Sequence, residues 1–182
     1  MRVSGGKVKG VQLKATHSRL TRPTTNLVKQ ALFSMLENTA SSWRRVLDLY
    51  AGSGALGIEA LSRGAEWVDL VDQSKECCDV IKYNLNKIGL LDKAHVYCCK
   101  VSKAIAFLEG KYDIVLMDPP YSDPFINGIL MSLASSNLIG EGSIIVVCHS
   151  SRIPLDVSCD GLHLVEHRYY GDTSISIYRG EV

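Results

Sequence analysis

Five short apolar runs divide the middle of this chain at regular intervals: "RRVLDLYA", "WVDLVD", "AHVYCC", "DIVLMD" and "GSIIVVCHS". Each is long enough for a strand and too short for a helix, and most are apolar on both faces of a pleat. Between them lie stretches with helical character: Ile58 to Arg63, stopped by Gly64; about Lys75 to Lys87, closed by Gly89; "SKAIAFLE"; and Pro124 to Ala134. Strands alternating with helices over residues 45–150 predict a parallel sheet covered on both faces. Ligands of such sheets bind outside the carboxyl ends of the strands, so the chemistry is sought just after each run.

The flanks add smaller pieces. "MRVSGGKVKGVQLKA" reads as a small hairpin punctuated by glycines, followed by the loop "THSRLTRPT". Thr24 or Thr25 is placed to cap a helix in which Leu27, Ala31 and Met35 recur with Val28, Leu32 and Leu36, ending near Asn38. The tail "LHLVEHRYYGDTSISIYRG" predicts two strands around Gly171-Asp172.

After the first strand comes "LYAGSGALGIEALSRG", with Gly52, Gly54 and Gly57 in the spacing G-x-G-x-x-G. Glycines here let the backbone turn tightly and approach a ligand, and the helix beginning near Ala55 presents free N–H groups. The spacing alone is common, but its place between a strand and a helix strengthens it. Asp72 ends the next strand, where a carboxylate can accept both hydroxyls of an adenosine ribose. Asp48 lies four residues before Gly52. A carboxylate facing the loop repels a pyrophosphate and suits a cofactor with a cationic end. That favours the ammonium and sulfonium of S-adenosylmethionine over a nicotinamide dinucleotide.

Asp118-Pro119-Pro120-Tyr121 follows the fourth strand at the same edge. An exocyclic base amine is a poor nucleophile, because its lone pair is delocalised into the ring. The Asp118 carboxylate and the Pro119 carbonyl can each accept one N–H of such an amine. That aims the lone pair at a donor methyl. Pro120 restricts the residue before it, and Tyr121 can stack on the base. Orientation and electrostatics supply most of the expected acceleration.

Net charge is +1, yet its distribution is uneven. Met1 to Leu36 holds seven cations, Arg2, Lys7, Lys9, Lys14, Arg19, Arg22 and Lys29, and the first acid is Glu37. A cationic end either attracts a polyanion by counterion release or is only a solvated, solubilising face. On the first reading Lys7, Lys9, Arg19, Arg22 and Lys29 are the candidate contacts to a polyanion, which the resemblance given below would make RNA. The six cysteines form no C-x-x-C, and the five histidines show no triad or ligand spacing. No metal is expected. Reduced thiols, no secretory signal and no apolar run near the roughly 20 residues of a membrane span lead us to expect a cytoplasmic protein.

The chain resembles the class I S-adenosylmethionine-dependent methyltransferases. More closely it resembles the bacterial family that methylates a guanine N2 of 16S ribosomal RNA. Five stretches carry the resemblance: "GGKVKGVQLK", "TRPTTNLVKQALFSML", "VLDLYAGSGALGIEALSRGA", "DIVLMDPPY" and "YYGDTSISIYR". The glycine loop and D-P-P-Y are shared by many amino-methyltransferases, whereas T-R-P-T and Y-G-D-T are more specific to this family. The resemblance implies a Rossmann-like α/β fold. Its mostly parallel seven-stranded sheet has an antiparallel last strand, helices on both faces and a small N-terminal hairpin. It implies one domain over residues 1–182, with the basic hairpin and loop of 1–23 packed on it, and a monomer. It implies S-adenosylmethionine held by Asp48, Ala51, Gly52 and Gly54, with Asp72 on the ribose. Thr24 would lie near the methionine end, and Arg22 is the first choice for a phosphate or substrate contact. The small ribosomal subunit is the implied partner.

Relatives often carry an acid or amide near the adenine after the third strand. Here that stretch is "CCKVSKAI", leaving Ser102 or backbone N–H groups of Val101 and Ser102. An adenine-N6 methyltransferase uses the same four-residue motif, but a large target-recognition domain is missing. Protein-glutamine methyltransferases usually carry Asn in place of Asp118. A non-catalytic RNA-binding assembly factor would not need Gly52, Gly54, Asp72 and Asp118 together.

Overall fold

The computed structural model describes residues 1–16, 25–155 and 161–181. Seven strands form one sheet in the order β3-β2-β1-β4-β5-β7-β6. They are β1 (Arg45–Leu49), β2 (Trp67–Asp72), β3 (Ala94–Cys98), β4 (Ile114–Met117), β5 (Ile144–Ser150), β6 (Leu162–Tyr170) and β7 (Thr173–Gly180). The first five pair in parallel, and β7 runs antiparallel to both β5 and β6. The Gly171-Asp172 turn therefore inserts the last strand inside the edge. As a result the first residue of β7, Thr173, comes to the edge where β1, β2 and β4 end.

Among the described residues α1 (Asn26–Thr39) precedes the sheet, and four α-helices connect its strands: α2 (Ala55–Arg63), α3 (Lys75–Lys87), α4 (Val101–Phe107) and α5 (Ile126–Ala134). Sequence explains their ends. The Thr25 hydroxyl accepts the Val28 N–H at the start of α1, and Ser74 does the same for Cys77 at α3. Gly64 closes α2 in the left-handed conformation that glycine adopts freely. Pro124 stays outside α5, which begins two residues later than the spacing predicts, because the Asp123 carboxylate first takes the Phe125 N–H in a local turn.

Strand alternation splits the core in two. Val46, Leu70, Leu116 and Val146 meet Leu32 and Phe33 of α1, Leu61 of α2 and Ile81 of α3 on one face. Leu47, Leu49, Val115 and Val147 meet Ala104 of α4 and Leu130 of α5 on the other. Each fully buried Leu, Ile or Val contributes about 1.5–3 kcal/mol relative to exposure, so these faces hold the sheet in place. Leu27 departs from the predicted apolar stripe of α1 and is largely exposed.

The N-terminal hairpin is smaller than its sequence suggests. Arg2 and Gln12 form one antiparallel bridge, with Val3 N–H to Val11 O at 3.0 Å and Leu13 N–H to Met1 O at 2.8 Å. This arm packs beside α1, α2 and α3. Its side chains Val3 and Leu13 are buried in the first core. No helix among the described residues is long and apolar enough to cross a membrane.

Candidate active site

Register alone gathers three carboxylates. Asp48 of β1 pairs with Leu70 of β2 and Leu116 of β4. Side chains two residues apart along a strand share a face, so Asp72 lies on the same side of the sheet as Asp48; Asp118, one residue past β4, is close enough for its charge to act on the Asp48 carboxyl. All three stand at the C-terminal edge. The glycine loop crosses that edge, and its backbone is shaped for close approach. Tyr50, Gly52 and Gly54 have φ of 63°, 56° and 80°. A Cβ at Gly52 would have no atom of the described residues within 4 Å, so the space immediately beside its backbone is open among them. Gly57 is different. A Cβ there would lie 2.8 Å from Leu70 Cδ2 and 3.0 Å from Asp48 Oδ2, so this glycine lets α2 close on the sheet.

The carboxylates are not equivalent. Asp72 is half-buried. It braces the loop by accepting Gly52 N–H at 2.9 Å, and accepts Ser74 N–H at 2.8 Å. Asp48 is buried. Its Oδ2 accepts Gly57 N–H at 2.8 Å, while Oδ1 has no hydrogen-bond partner among the described residues. Burial, with the neighbouring Asp118 and Asp72 adding to it and the Gly57 N–H opposing, holds the Asp48 carboxyl up at about 8. A buried acid with an unsatisfied oxygen facing a glycine loop asks for a cationic donor.

Beyond Met117, Asp118 is half-buried and Pro119 buried. The Tyr121 hydroxyl is hydrogen-bonded to Thr173 Oγ1. Thus D-P-P-Y and Y-G-D-T, far apart in sequence, meet at one place. Pro119, Pro120, Tyr121 and Asp123 line a depression with His149 and Ile153. Tyr50 faces Asp123, and burial plus that carboxylate push its phenol well above the ordinary range.

Other candidates are scattered. Ser102 is exposed in the first turn of α4, whose Lys100 offers no side-chain cap. Lys7 and Lys9 are exposed, but the Lys7 N–H binds Ser62 O at the end of α2 remote from the glycine loop. Lys29 corrects the sequence reading. Its side chain is fully buried 3.0 Å from Glu59 and donates to Arg2 O, so it cannot meet a phosphate. Arg19, Arg22 and Thr24 lie outside the described residues. Among those described, no group of three His, Cys, Asp or Glu is placed to hold a metal ion.

Sequence reasoning passed over Asn84 and Glu59. Both are polar, fully buried and in contact with the arm. Asn84 shares a helical face with Cys77, Val80 and Ile81. A polar residue on an apolar face was the available signal.

The chain is similar to known proteins over nearly its whole length. YlbH of Bacillus subtilis is 35% identical over 182 residues, covering 98% of both chains. Ribosomal RNA small subunit methyltransferase D of Escherichia coli is 31% identical over 150 residues, covering 81% of this chain and 73% of the relative. The solved structure of the Escherichia coli methyltransferase yhhF superposes with a TM-score of 0.86 at 26% identity, covering 100% of this chain and 98% of that one. Residues 1–179 match the family described as Conserved hypothetical protein 95. The chain belongs to that family, and its fold is that of the class I methyltransferases.

Proposed function

We propose that this protein transfers a methyl group from S-adenosylmethionine to the exocyclic N2 amine of a guanine in 16S ribosomal RNA, in a small-subunit particle. The observation that carries the reading is the shared sheet edge of Asp48, Asp72 and Asp118. Two acids flank a glycine loop suited to an adenosine cofactor, and the third opens D-P-P-Y one strand away. The small-subunit relatives support ribosomal RNA as the substrate class. The T-R-P-T and Y-G-D-T resemblance supports guanine.

The residues present fit the cofactor. Asp48 Oδ1 becomes a buried acceptor for an ammonium once the carboxyl gives up its proton, Gly52 leaves room beside its backbone, and Asp72 retains lone pairs for ribose hydroxyls. When bound, S-adenosylmethionine supplies an electrophilic methyl on a cationic sulfur. Asp118 and the Pro119 carbonyl accept the two N–H groups of the amine and hold its lone pair in line. Tyr121, anchored through its hydroxyl, supplies a ring face for the base. The amine proton leaves to Asp118 or to water after transfer.

The decisive assay uses ribosomal particles from a strain lacking the enzyme, with modified nucleosides identified by mass spectrometry. N2-methylguanine is expected. N6-methyladenine would overturn the base assignment, and no modification would overturn the enzyme reading.

Two predictions arise here. Arg22→Ala should weaken RNA association across sequences and reduce the salt slope by about 1, as loss of one phosphate contact does. An unchanged slope in a salt titration would remove Arg22 from the interface.

Asp48→Asn concerns pH. In the folded protein Asp48 keeps its proton up to about 8, against 3.8 for an ordinary aspartate. The unfolded chain therefore releases a proton that the folded one retains. Stability falls as pH rises between those values, and the contribution is fully present only below the lower one. Asn does not titrate. Its stability advantage over the native residue should be absent near pH 4 and reach on the order of a few kcal/mol above pH 8. Urea unfolding across that range tests it, and parallel pH profiles would refute it. The same variant should hold the cofactor more weakly.

A further inference from the structure

We propose that Asn84 is a positioning residue that couples the cofactor loop to the N-terminal arm, so that filling the cofactor site orders the arm. The proposal rests on the methyltransferase reading above. It starts from the one fully buried carboxamide among the described residues of α3.

Asn84 makes three hydrogen bonds, all to backbone. Its Oδ1 accepts the Lys14 N–H at 2.8 Å. Its Nδ2 donates to Lys14 O at 3.0 Å and to Ser53 O at 3.0 Å. Toward Lys14 the side chain thus behaves as a neighbouring strand would, serving both the N–H and the C=O. Both of its own N–H groups are used. Ser53 sits between Gly52 and Gly54, two left-handed glycines of the proposed cofactor loop. The Gly52 N–H in turn is held by Asp72. A continuous path therefore runs from Asp72, the proposed ribose carboxylate, by hydrogen bond to Gly52, along the backbone to Ser53, and by hydrogen bonds through Asn84 to Lys14.

The chemistry makes this line hard to replace. An apolar residue at position 84 would suit the face formed by Val80 and Ile81. It would also leave the Ser53 carbonyl unpaired at a buried position and remove the partner of a part-buried Lys14 N–H and carbonyl, at a cost that is largest for Ser53. Neighbouring contacts hold the arm along the same helix. The Lys87 ammonium donates to Gln12 O at 2.7 Å, and the Lys14 ammonium lies 5.3 Å from the centre of the Tyr83 ring. Those two contacts are made at exposed side chains, whereas Asn84 is sealed in and links to the loop. From Lys14 the chain runs on toward the T-R-P-T stretch that carries Arg22. A ligand that draws on the Gly52 and Ser53 backbone therefore acts on the arm through one side chain. Binding that rigidifies one end of such a line makes the other end cheaper to order.

Hydrogen exchange by mass spectrometry, with S-adenosylhomocysteine as the probe, tests this on the full chain. In the native protein, saturating ligand should slow exchange in peptides covering residues 50–57. It should also slow residues 11–16 roughly fivefold or more. In Asn84→Ala, with folding checked by thermal melting, residues 50–57 should still be protected. Residues 11–16 should exchange fast with and without ligand. The readout that separates coupling from a mere tether is the ligand-induced slowing of residues 11–16 in the native protein, which a tether alone would not produce. If the native protein protects the loop and leaves the arm unchanged, the coupling is overturned, and that result does not depend on the variant folding. Arm protection that persists in Asn84→Ala overturns it as well. If the probe protects neither segment, the cofactor reading falls and takes the proposal with it.

Discussion

Asp118→Ala should lower the rate of methyl transfer roughly 10²–10³-fold, the range seen when a group oriented toward developing charge is removed. The fold and the binding of S-adenosylhomocysteine should survive. Asp118 lies one residue past β4 and is half-buried, so truncation leaves the strand and its pairing with β1 and β5 untouched. On the proposed mechanism the loss arises because Asp118 and the Pro119 carbonyl accept the two N–H groups of the amine. With one acceptor gone, the lone pair is no longer held in line. Asp118→Asn should fall between, since the amide keeps an acceptor oxygen but loses the charge and turns N–H groups toward the base. Single-turnover transfer to small-subunit particles, beside calorimetry with S-adenosylhomocysteine, separates the step from binding. Transfer at the native rate in Asp118→Ala would discard the proposed mechanism.

The placement of most candidate residues at one sheet edge could be read in advance because they end or follow strands. In a parallel sheet the chain must turn at the carboxyl edge, so Asp48, Gly52, Asp72 and Asp118 are brought together by connectivity and register. No long-range contact has to be foreseen. The helices were legible for the same local reason, as with α3, bounded by Ser74 and Gly89. What could not be read is where a long side chain goes. Lys29 looked like one more cation of a basic end. It shares a helical face with Leu32, Phe33 and Leu36, and that face turns inward. An ammonium carried inward must find a carboxylate, and the carboxylate it found is on α2. Likewise the hairpin showed its glycines but not its docking, which depends on Ser62, Glu59 and Asn84 from two other helices. The meeting of Tyr121 with Thr173 depends on β7 inserting between β5 and β6.

That inward lysine leads to the largest expected effect on stability. Glu59→Ala should cost about 3–5 kcal/mol, as removing one partner of a buried ion pair does. Glu59 has no exposed side-chain surface, and neither has Lys29. Its two oxygens accept Ser4 N–H at 2.8 Å, Ser4 Oγ at 2.7 Å, Lys29 Nζ at 3.0 Å and Arg63 Nε at 2.9 Å. Burial by itself would raise the carboxyl. The Ser4 donors and the Lys29 ammonium outweigh it and hold the group below its ordinary value. A lowered folded value means that the stabilisation is present above the ordinary carboxylate range and is lost as pH falls through the folded one. Glu59→Ala removes that acid sensitivity together with the stability, and leaves an ammonium in the core with only the Arg2 carbonyl. Pairing it with Lys29→Met should recover part of the loss, because the stranded charge goes too. Urea unfolding of the two single variants and the double gives the coupling, and additive losses would show that the pair does not act as a unit. The effect should reach the active site only through folding. Glu59 sits mid-helix in α2, whose first turn starts from the glycine loop, and it binds arm and α1 rather than any group at the sheet edge. Transfer by the folded fraction should therefore keep the native rate, in contrast to Asp118→Ala, where folded protein is abundant and inactive.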